Sequence, residues 1–557
     1  MRANRHFLAI IVLFIISLAF RFVPLLFSTL PFNIDGFPLV KISEDIIETG
    51  HWELSYPEGT SDFVVYNTKM PVMSLIISSF AIVFGETPME IAQVIVPLLS
   101  STAIVLIYLI AFKITKNQLV SFFAGLALAL NGFYVYLGAA VMKETVGLVI
   151  LLLGIYLYQG RDDPRKRVLA SVLLLLLTLT HHLTAWIAFI MVSLLMLSSN
   201  ALHWHHGTFQ KRRFITDFFS GPFMFIFTVI YYKIVDLAFF NRVSTVNDIA
   251  LFGSIFILSM ILCITFSLPK KRKKPKNVIL NKKFLILIAG FGLFIFNGYK
   301  RIFPGTIYTT KLFAIYFIPY LLLVSIAIIG LNVVALRKTE HRPFIVALLM
   351  SPFVVILFAM LKGFDAFTFI LLYRSYDFID FGLAICAGIG AGYLIHRIVE
   401  ISTKKEKQSK AAFGIKASLS IVFLVICIST IPLGYNGQEF FGVQDTTYNY
   451  EFDAMKWVNE NAPEYKINTD ERLNDIMNPY FDLETEKTLP WKLKYNRELE
   501  TDKMLFMEDK WTDDGAQMSP MEPIVISQKN FDNTLANNNI IYSTKGSVSQ
   551  IYIVVVR

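Results

Sequence analysis

Asp35 is the carboxylate of this chain whose setting could support chemistry. It lies in Asn33-Ile34-Asp35-Gly36-Phe37-Pro38, and Glu44, Asp45 and Glu48 follow before His51 and Trp52. Ahead of residue 436 acids are otherwise scarce, 21 Asp and Glu against 39 Lys and Arg. A carboxylate at a reacting face can take a proton from a hydroxyl as a general base. Asp-Gly between Pro31 and Pro38 also reads as a plain turn, so the dipeptide alone decides nothing. The complementary chemistry belongs to cations that flank apolar runs: Lys143 beside Glu144, Lys300, Arg301 and Arg374. An arginine grips a phosphate with two parallel hydrogen bonds, and Arg374, in Leu372-Tyr373-Arg374-Ser375-Tyr376, is the first choice for that role. Each cation could equally snorkel to lipid headgroups. His181-His182 invites a zinc reading. Adjacent histidines on a helix diverge, however, and no Cys/His/Asp cluster accompanies them. Contact of one ring with substrate, or capping of a tight turn, are the alternatives.

The elements that must hold these residues are apolar. Of 557 residues, 55% are hydrophobic and 17% charged, where a soluble protein averages about 25% charged. The mean hydropathy is +0.56. This composition specifies an α-helical, many-span membrane protein. Thirteen segments are long or apolar enough to be candidate spans: 7–29, 88–112, 119–139, 145–159, 168–181, 183–200, 214–240, 249–268, 284–298, 312–336, 343–361, 377–396 and 414–434. With the N-terminus in the cytoplasm, every strong basic run falls on the cytoplasmic side: Arg161 to Arg167, Lys211 to Arg213, Lys270 to Lys276, Arg337-Lys338 and Lys404 to Lys410. That is the charge bias of membrane proteins. It also reads Lys-Lys-Arg-Lys-Lys-Pro-Lys as a loop anchor rather than a nuclear or nucleic-acid signal. The first apolar segment lacks a small-residue cleavage site and is expected to stay as an uncleaved span.

Two domains follow: a membrane body, 1–435, with an outer loop at 30–87, and an extracytoplasmic domain, 436–557. The second carries 21 acids and 12 cations. An amphipathic helix through Phe452, Met455 and Val458 ends near Pro463, and strands are expected at 523–526 and 551–555, giving a small mixed α/β domain. Cys263, Cys386 and Cys427 all lie in apolar runs, so no disulfide framework is expected. Ala387-Gly388-Ile389-Gly390-Ala391-Gly392 lies within a span and reads as close helix packing, not a nucleotide loop. Arg21 stands within the first span, where a charge is expensive and is usually paired or functional.

The order Arg21, Asp35-Gly36, a helix closing on Glu48-Thr49-Gly50-His51-Trp52, then Pro71 and a short apolar helix ending at Gly85 resembles the first outer loop of the GT-C membrane glycosyltransferases. That class includes protein O-mannosyltransferases and oligosaccharyltransferase catalytic subunits. The resemblance implies transfer of a sugar from a polyprenyl-phosphate-linked donor to a glycan, lipid or protein acceptor on the extracytoplasmic face, with Asp35 at the catalytic centre. Arg374, Lys300 and Arg301 would then clamp the phosphate, with Lys143, Glu144, His181, His182 and Arg21 as further substrate-binding candidates. The class often places an acidic pair in its second outer loop. This chain offers Lys143-Glu144 there, so a divalent metal is not favoured and no other cofactor is expected. Trp457, Trp491 and Trp511 are not adjacent to one another, unlike the paired tryptophans of oligosaccharyltransferases, which argues against transfer to peptide asparagine. A transporter or flippase would place ionisable groups at mid-membrane, whereas here they cluster near span ends. A non-catalytic cell-surface scaffold is the remaining alternative.

Overall fold

The computed structural model describes residues 2–268, 311–336, 341–363, 365–403, 409–435, 444–501, 503–518 and 523–556. The expected span at 284–298, the run Lys270 to Lys276, Lys300 and Arg301 lie outside them. The chain divides into two compact units. The first comprises Met1–Arg21, Leu98–Gly138 and Lys143–Tyr435. The second comprises Phe22–Pro97, Ala139–Met142 and Asn436–Arg557.

The first unit is helical. Among the described residues of the chain, eight helices are long and apolar enough to cross a membrane, or up to ten if each of two bent pairs counts as one span. One bent pair replaces the expected straight span at 119–139: Gln118–Ala129 and Gly132–Ala139 meet at 63°. A helix that stops inside an apolar body leaves carbonyls without amide partners. They are met from elsewhere in the chain. The Thr430 hydroxyl donates to Leu130 O at 2.7 Å, and Arg21 Nη1 lies 3.4 Å from Ala129 O. Arg21 is fully buried at the end of Arg2–Arg21. It also donates to Ser17 Oγ at 2.7 Å and to Tyr134 O at 3.3 Å, and stands 5.0 Å from the centre of the Tyr134 ring. Gly132 is required at the break, because a Cβ there would run into Thr430 O.

The helix Ala366–Thr403 is the longest described. It begins eleven residues before the expected boundary, so Arg374 lies well inside it. Its glycines are packing surfaces, as expected. A Cβ on Gly388 would stand 2.6 Å from Val120 O and Ala124 N, and one on Gly390 would collide with Ile326 O. Backbones of neighbouring helices therefore touch directly at these positions.

The second unit joins the first loop to the C-terminal residues. Its sheet contains β1 (Lys466–Asn468), β2 (Thr485–Glu486), β3 (Lys503–Glu508), β4 (Asn539–Lys545) and β5 (Gln550–Val555), in the order β2-β1-β3-β5-β4. β1 runs parallel to β2 and β3, while β5 is antiparallel to β3 and β4. The expected helix is Asn449–Asn461 and the last strand falls where expected, whereas Ile524 makes only an isolated bridge to Ala516. From the loop, the helix Gly36–Thr49 inserts Phe37 into this core, 6.0 Å from the Phe452 ring and 6.1 Å from Tyr480. Tyr480 donates its hydroxyl to Glu44 Oε1 at 2.9 Å.

A buried charge network fastens this unit. Arg472 spans Glu451 and Glu508 at 3.0–3.2 Å, and Lys510 reaches both carboxylates at 2.8 Å. Burial raises the Glu451 carboxyl, but Arg472 and Lys510 overcome it and hold the group well below the ordinary range. Burial pushes Glu508 up to about 7 against the pull of the same two cations. Removing one partner from such a network leaves a buried charge uncompensated. Arg472→Ala is expected to destabilise the second unit by about 3–5 kcal/mol, read as a lowered melting temperature and faster proteolysis within 444–556 of the full chain.

Candidate active site

In the first unit three helices bring five of the expected residues together. Lys143 and Glu144 open Lys143–Tyr158, where the helix dipole favours an acid in the first turn. Glu144 is 1% exposed. Arg374, from a helix 230 positions further along, meets it with Nη1 3.4 Å from Oε2. The Arg374 side chain is a quarter exposed while Glu144 is sunk beneath it. His181 packs against the same helix at Gly147, where a Cβ would come within 3.0 Å of Thr184 Oγ1 and 3.4 Å of His181 Cβ. Its Nδ1 is hydrogen bonded to the Thr184 hydroxyl at 2.8 Å. His182, the first residue of His182–His205, lays its ring 4.7 Å from His181 and 3.9 Å from Phe239. Lys143 and Arg374 lie within electrostatic range of both histidines.

Asp377, one turn beyond Arg374, is a member of this cluster that the sequence reading missed. It stands within electrostatic range of Glu144, Asp380 and Arg374. Lys143, Glu144, Arg374 and Asp377 are thus grouped near His181 and His182. The available signal was the i,i+3 spacing from Arg374 on one helix face. Arg21 is not part of this cluster, and its donors go to Ser17 and to backbone carbonyls at the helix break.

In the second unit the segment carrying Asp35 is pinned from both sides. Phe32 N donates to Gln93 Oε1 at 2.6 Å, and Val141 N donates to Phe32 O at 2.9 Å. Asn33 sits at φ +80°, its backbone amide donating to Asp445 O and its side-chain amide to Asp445 Oδ1. The Asn33 Oδ1 in turn accepts from Asp35 N at 3.0 Å. Asp35 precedes the helix Gly36–Thr49 but makes no side-chain cap to it, although capping is the usual role of an Asp there. Gly36 serves close packing rather than a turn, since a Cβ would meet Pro31 at 2.6 Å and Val141 at 3.0 Å. Two of the other loop acids have structural partners: Glu44 with Tyr480, and Asp45 with Lys41 at 3.2 Å and Tyr56 at 2.9 Å.

Asp475, on the helix Glu471–Phe481, lies within electrostatic range of Asp35. Burial pushes its carboxyl up to about 6, with Glu471 and Asp35 adding to the rise and Asn474 and Lys487 opposing it. It too was missed, because 440 positions separate it from Asp35 in sequence. For a divalent ion, no group of three or more His, Cys, Asp or Glu side chains with suitable placement occurs among the described residues. Glu144, the acid of the expected metal loop, is engaged by the Arg374 guanidinium.

No protein-family model matches the chain, and no curated protein matches it in sequence. Solved structures match its fold. The archaeal oligosaccharyltransferase AglB from Archaeoglobus fulgidus, in complex with an inhibitory peptide and a dolichol-phosphate, aligns with a TM-score of 0.51 at 13% identity, covering 87% of this chain and 64% of that one. The apo form of the A. fulgidus oligosaccharyltransferase aligns at 0.52 and 12% identity, over 91% of this chain and 70% of that one. ArnT from Cupriavidus metallidurans, bound to undecaprenyl phosphate, aligns at 0.46 and 12% identity, over 98% and 97%. The chain thus spans just under two thirds of the first of these proteins. Its fold is the GT-C fold of membrane glycosyltransferases, as the first-loop resemblance implied.

The raised Asp475 carboxyl sets a pH dependence. Its contribution to stability is fully present below its unfolded value near 4 and is lost as pH rises through about 6. Asp475→Asn is therefore expected to raise stability by about 3 kcal/mol above pH 7 and to change it little at pH 4. Melting curves of both proteins across that range check this.

Proposed function

We propose that this chain is a membrane glycosyltransferase that moves a sugar from a polyprenyl-phosphate-linked donor to an acceptor on the extracytoplasmic face. The observation that supports it best is the Glu144–Arg374 pair, set in a chain with the GT-C fold. The exposed part of Arg374 suits a phosphate, which a guanidinium binds bidentately. Glu144 beneath holds that guanidinium in place, and Lys143 adds positive charge. Dolichol-phosphate in the A. fulgidus enzyme is a ligand of the chemistry this site would take. In the reaction, Asp35 accepts the proton of the acceptor hydroxyl as that oxygen attacks the anomeric carbon. The bond to the phosphate oxygen breaks, and Arg374 stabilises the charge left on the leaving phosphate. Backside attack inverts the anomeric centre. Lys300 and Arg301 are assigned to the phosphate side on sequence grounds alone. Arg21 is assigned a positioning role, holding the break at residues 130–131. The charge bias of the loops supports an extracytoplasmic location for the C-terminal residues.

Asp35→Asn is expected to lower kcat at least a hundredfold with little change in donor KM and normal membrane levels. Arg374→Ala is expected to raise donor KM at least tenfold as well as lowering kcat, and Arg374→Lys to recover part of it. Steady-state transfer assays with a radiolabelled polyprenyl-phosphate sugar test both, and full activity in Asp35→Asn would remove the base assignment. Treatment with EDTA is expected to leave transfer intact, and loss restored by manganese would contradict the metal-independent reaction.

A further inference from the structure

The C-terminal residues 436–557 are acidic, yet Lys487 to Arg497 hold four cations and no acid. Two of the four have partners: Lys487 with Glu471 at 2.6 Å and Lys492 with Glu500 at 2.5 Å. Lys494 and Arg497 are exposed, and among the described residues no carboxylate lies within ion-pair distance of either. The short helix Leu489–Lys494 turns Leu489 and Leu493 into the core. The four-residue spacing then brings Trp491 and Tyr495 together as a stacked pair, with ring planes parallel to within 4° and centres 5.9 Å apart. Tyr495 is 57% exposed. Asn496 follows at φ +49°, the left-handed conformation asparagine tolerates better than most residues. The reversal lets Arg497 N donate to Lys492 O at 2.8 Å and places the Arg497 guanidinium over the Tyr495 ring, 5.9 Å from its centre.

We propose that this surface binds an acidic saccharide chain. The face of an aromatic ring is electronegative, and one face of a pyranose presents polarised C–H groups to it. The exposed part of the Tyr495 ring offers such a face, and the neighbouring cations Lys494 and Arg497 match a carboxylate on that sugar. An anionic membrane would also attract cations and aromatic rings. Insertion into it, however, favours exposed aliphatic side chains, and here the leucines of the helix are buried. The site is independent of the transfer reaction and would hold an acidic glycan whether or not that glycan is the acceptor.

The test is calorimetric titration of the full-length protein in phosphatidylcholine nanodiscs with tetragalacturonate, with maltotetraose as the neutral chain of the same length, and with phosphatidylglycerol vesicles as a separate arm. Tetragalacturonate is expected to bind at least tenfold more tightly than maltotetraose and to weaken with added salt. Tyr495→Ala and Arg497→Gln should each weaken it at least tenfold at unchanged melting temperature, and Tyr495→Phe should stay within twofold. Equal binding of the two oligosaccharides, no binding of either, or unchanged affinity in both Tyr495→Ala and Arg497→Gln would overturn the proposal. So would vesicle capture lost in Tyr495→Ala without oligosaccharide binding, which would make the patch a membrane contact.

Discussion

A carboxylate buried to 1% exposure in an apolar helical body must be met by a cation, and at Glu144 that cation is Arg374. The idealised transfer of an unpaired ion into such a medium costs on the order of 20 kcal/mol, and several kcal/mol remain after relaxation. The pair thereby ties Lys143–Tyr158 to Ala366–Thr403, two helices distant in sequence. Gly147 extends the tie, because its missing side chain lets His181 and Thr184 pack against the helix that carries Glu144. The same constraint acts at Arg21. A guanidinium with no exposure is kept by making it the partner of backbone carbonyls near a helix break. One charge therefore serves the chemistry proposed and the other serves the scaffold, although both are arginines set among apolar residues.

The second unit obeys the rule with more participants. Glu451, Arg472, Glu508 and Lys510 form a closed group in which each charge has at least two partners. Such a group holds its elements in one arrangement, since any shift would leave a buried charge unmatched. Phe37 shows that the first loop shares this core, so the helix following Asp35 is anchored by the C-terminal residues. Asp35 itself is held by hydrogen bonds that the Gln93, Asn33 and Asp445 side chains make with the segment around it, which is how a short loop can present a carboxylate at a fixed place.

Sequence periodicity and charge bias revealed the many-helix membrane class, the α/β character of the tail and the packing role of Gly388 and Gly390. They did not reveal the break near residue 131, because the apolar run continues across it and the groups that satisfy it come from Arg21 and Thr430. They also missed β3, whose Met-Leu-Phe-Met core is built mostly of unbranched residues that suit helices as well. At the site, individual charges were legible because they are scarce, so Asp35, Glu144 and Arg374 stood out. Their pairing was not legible. Asp377 and Asp475 join the clusters through tertiary contacts, and nothing in their local sequence distinguishes them from ordinary helix acids.

The most direct test of the account is photocrosslinking of the full-length membrane protein with a diazirine-bearing polyprenyl phosphate, with adducts mapped by mass spectrometry. The account predicts adducts on the first turns of Lys143–Tyr158 and around Arg374, competed by unlabelled polyprenyl phosphate and abolished by Arg374→Ala. Adducts confined to other helices, or labelling unchanged in Arg374→Ala, would contradict it.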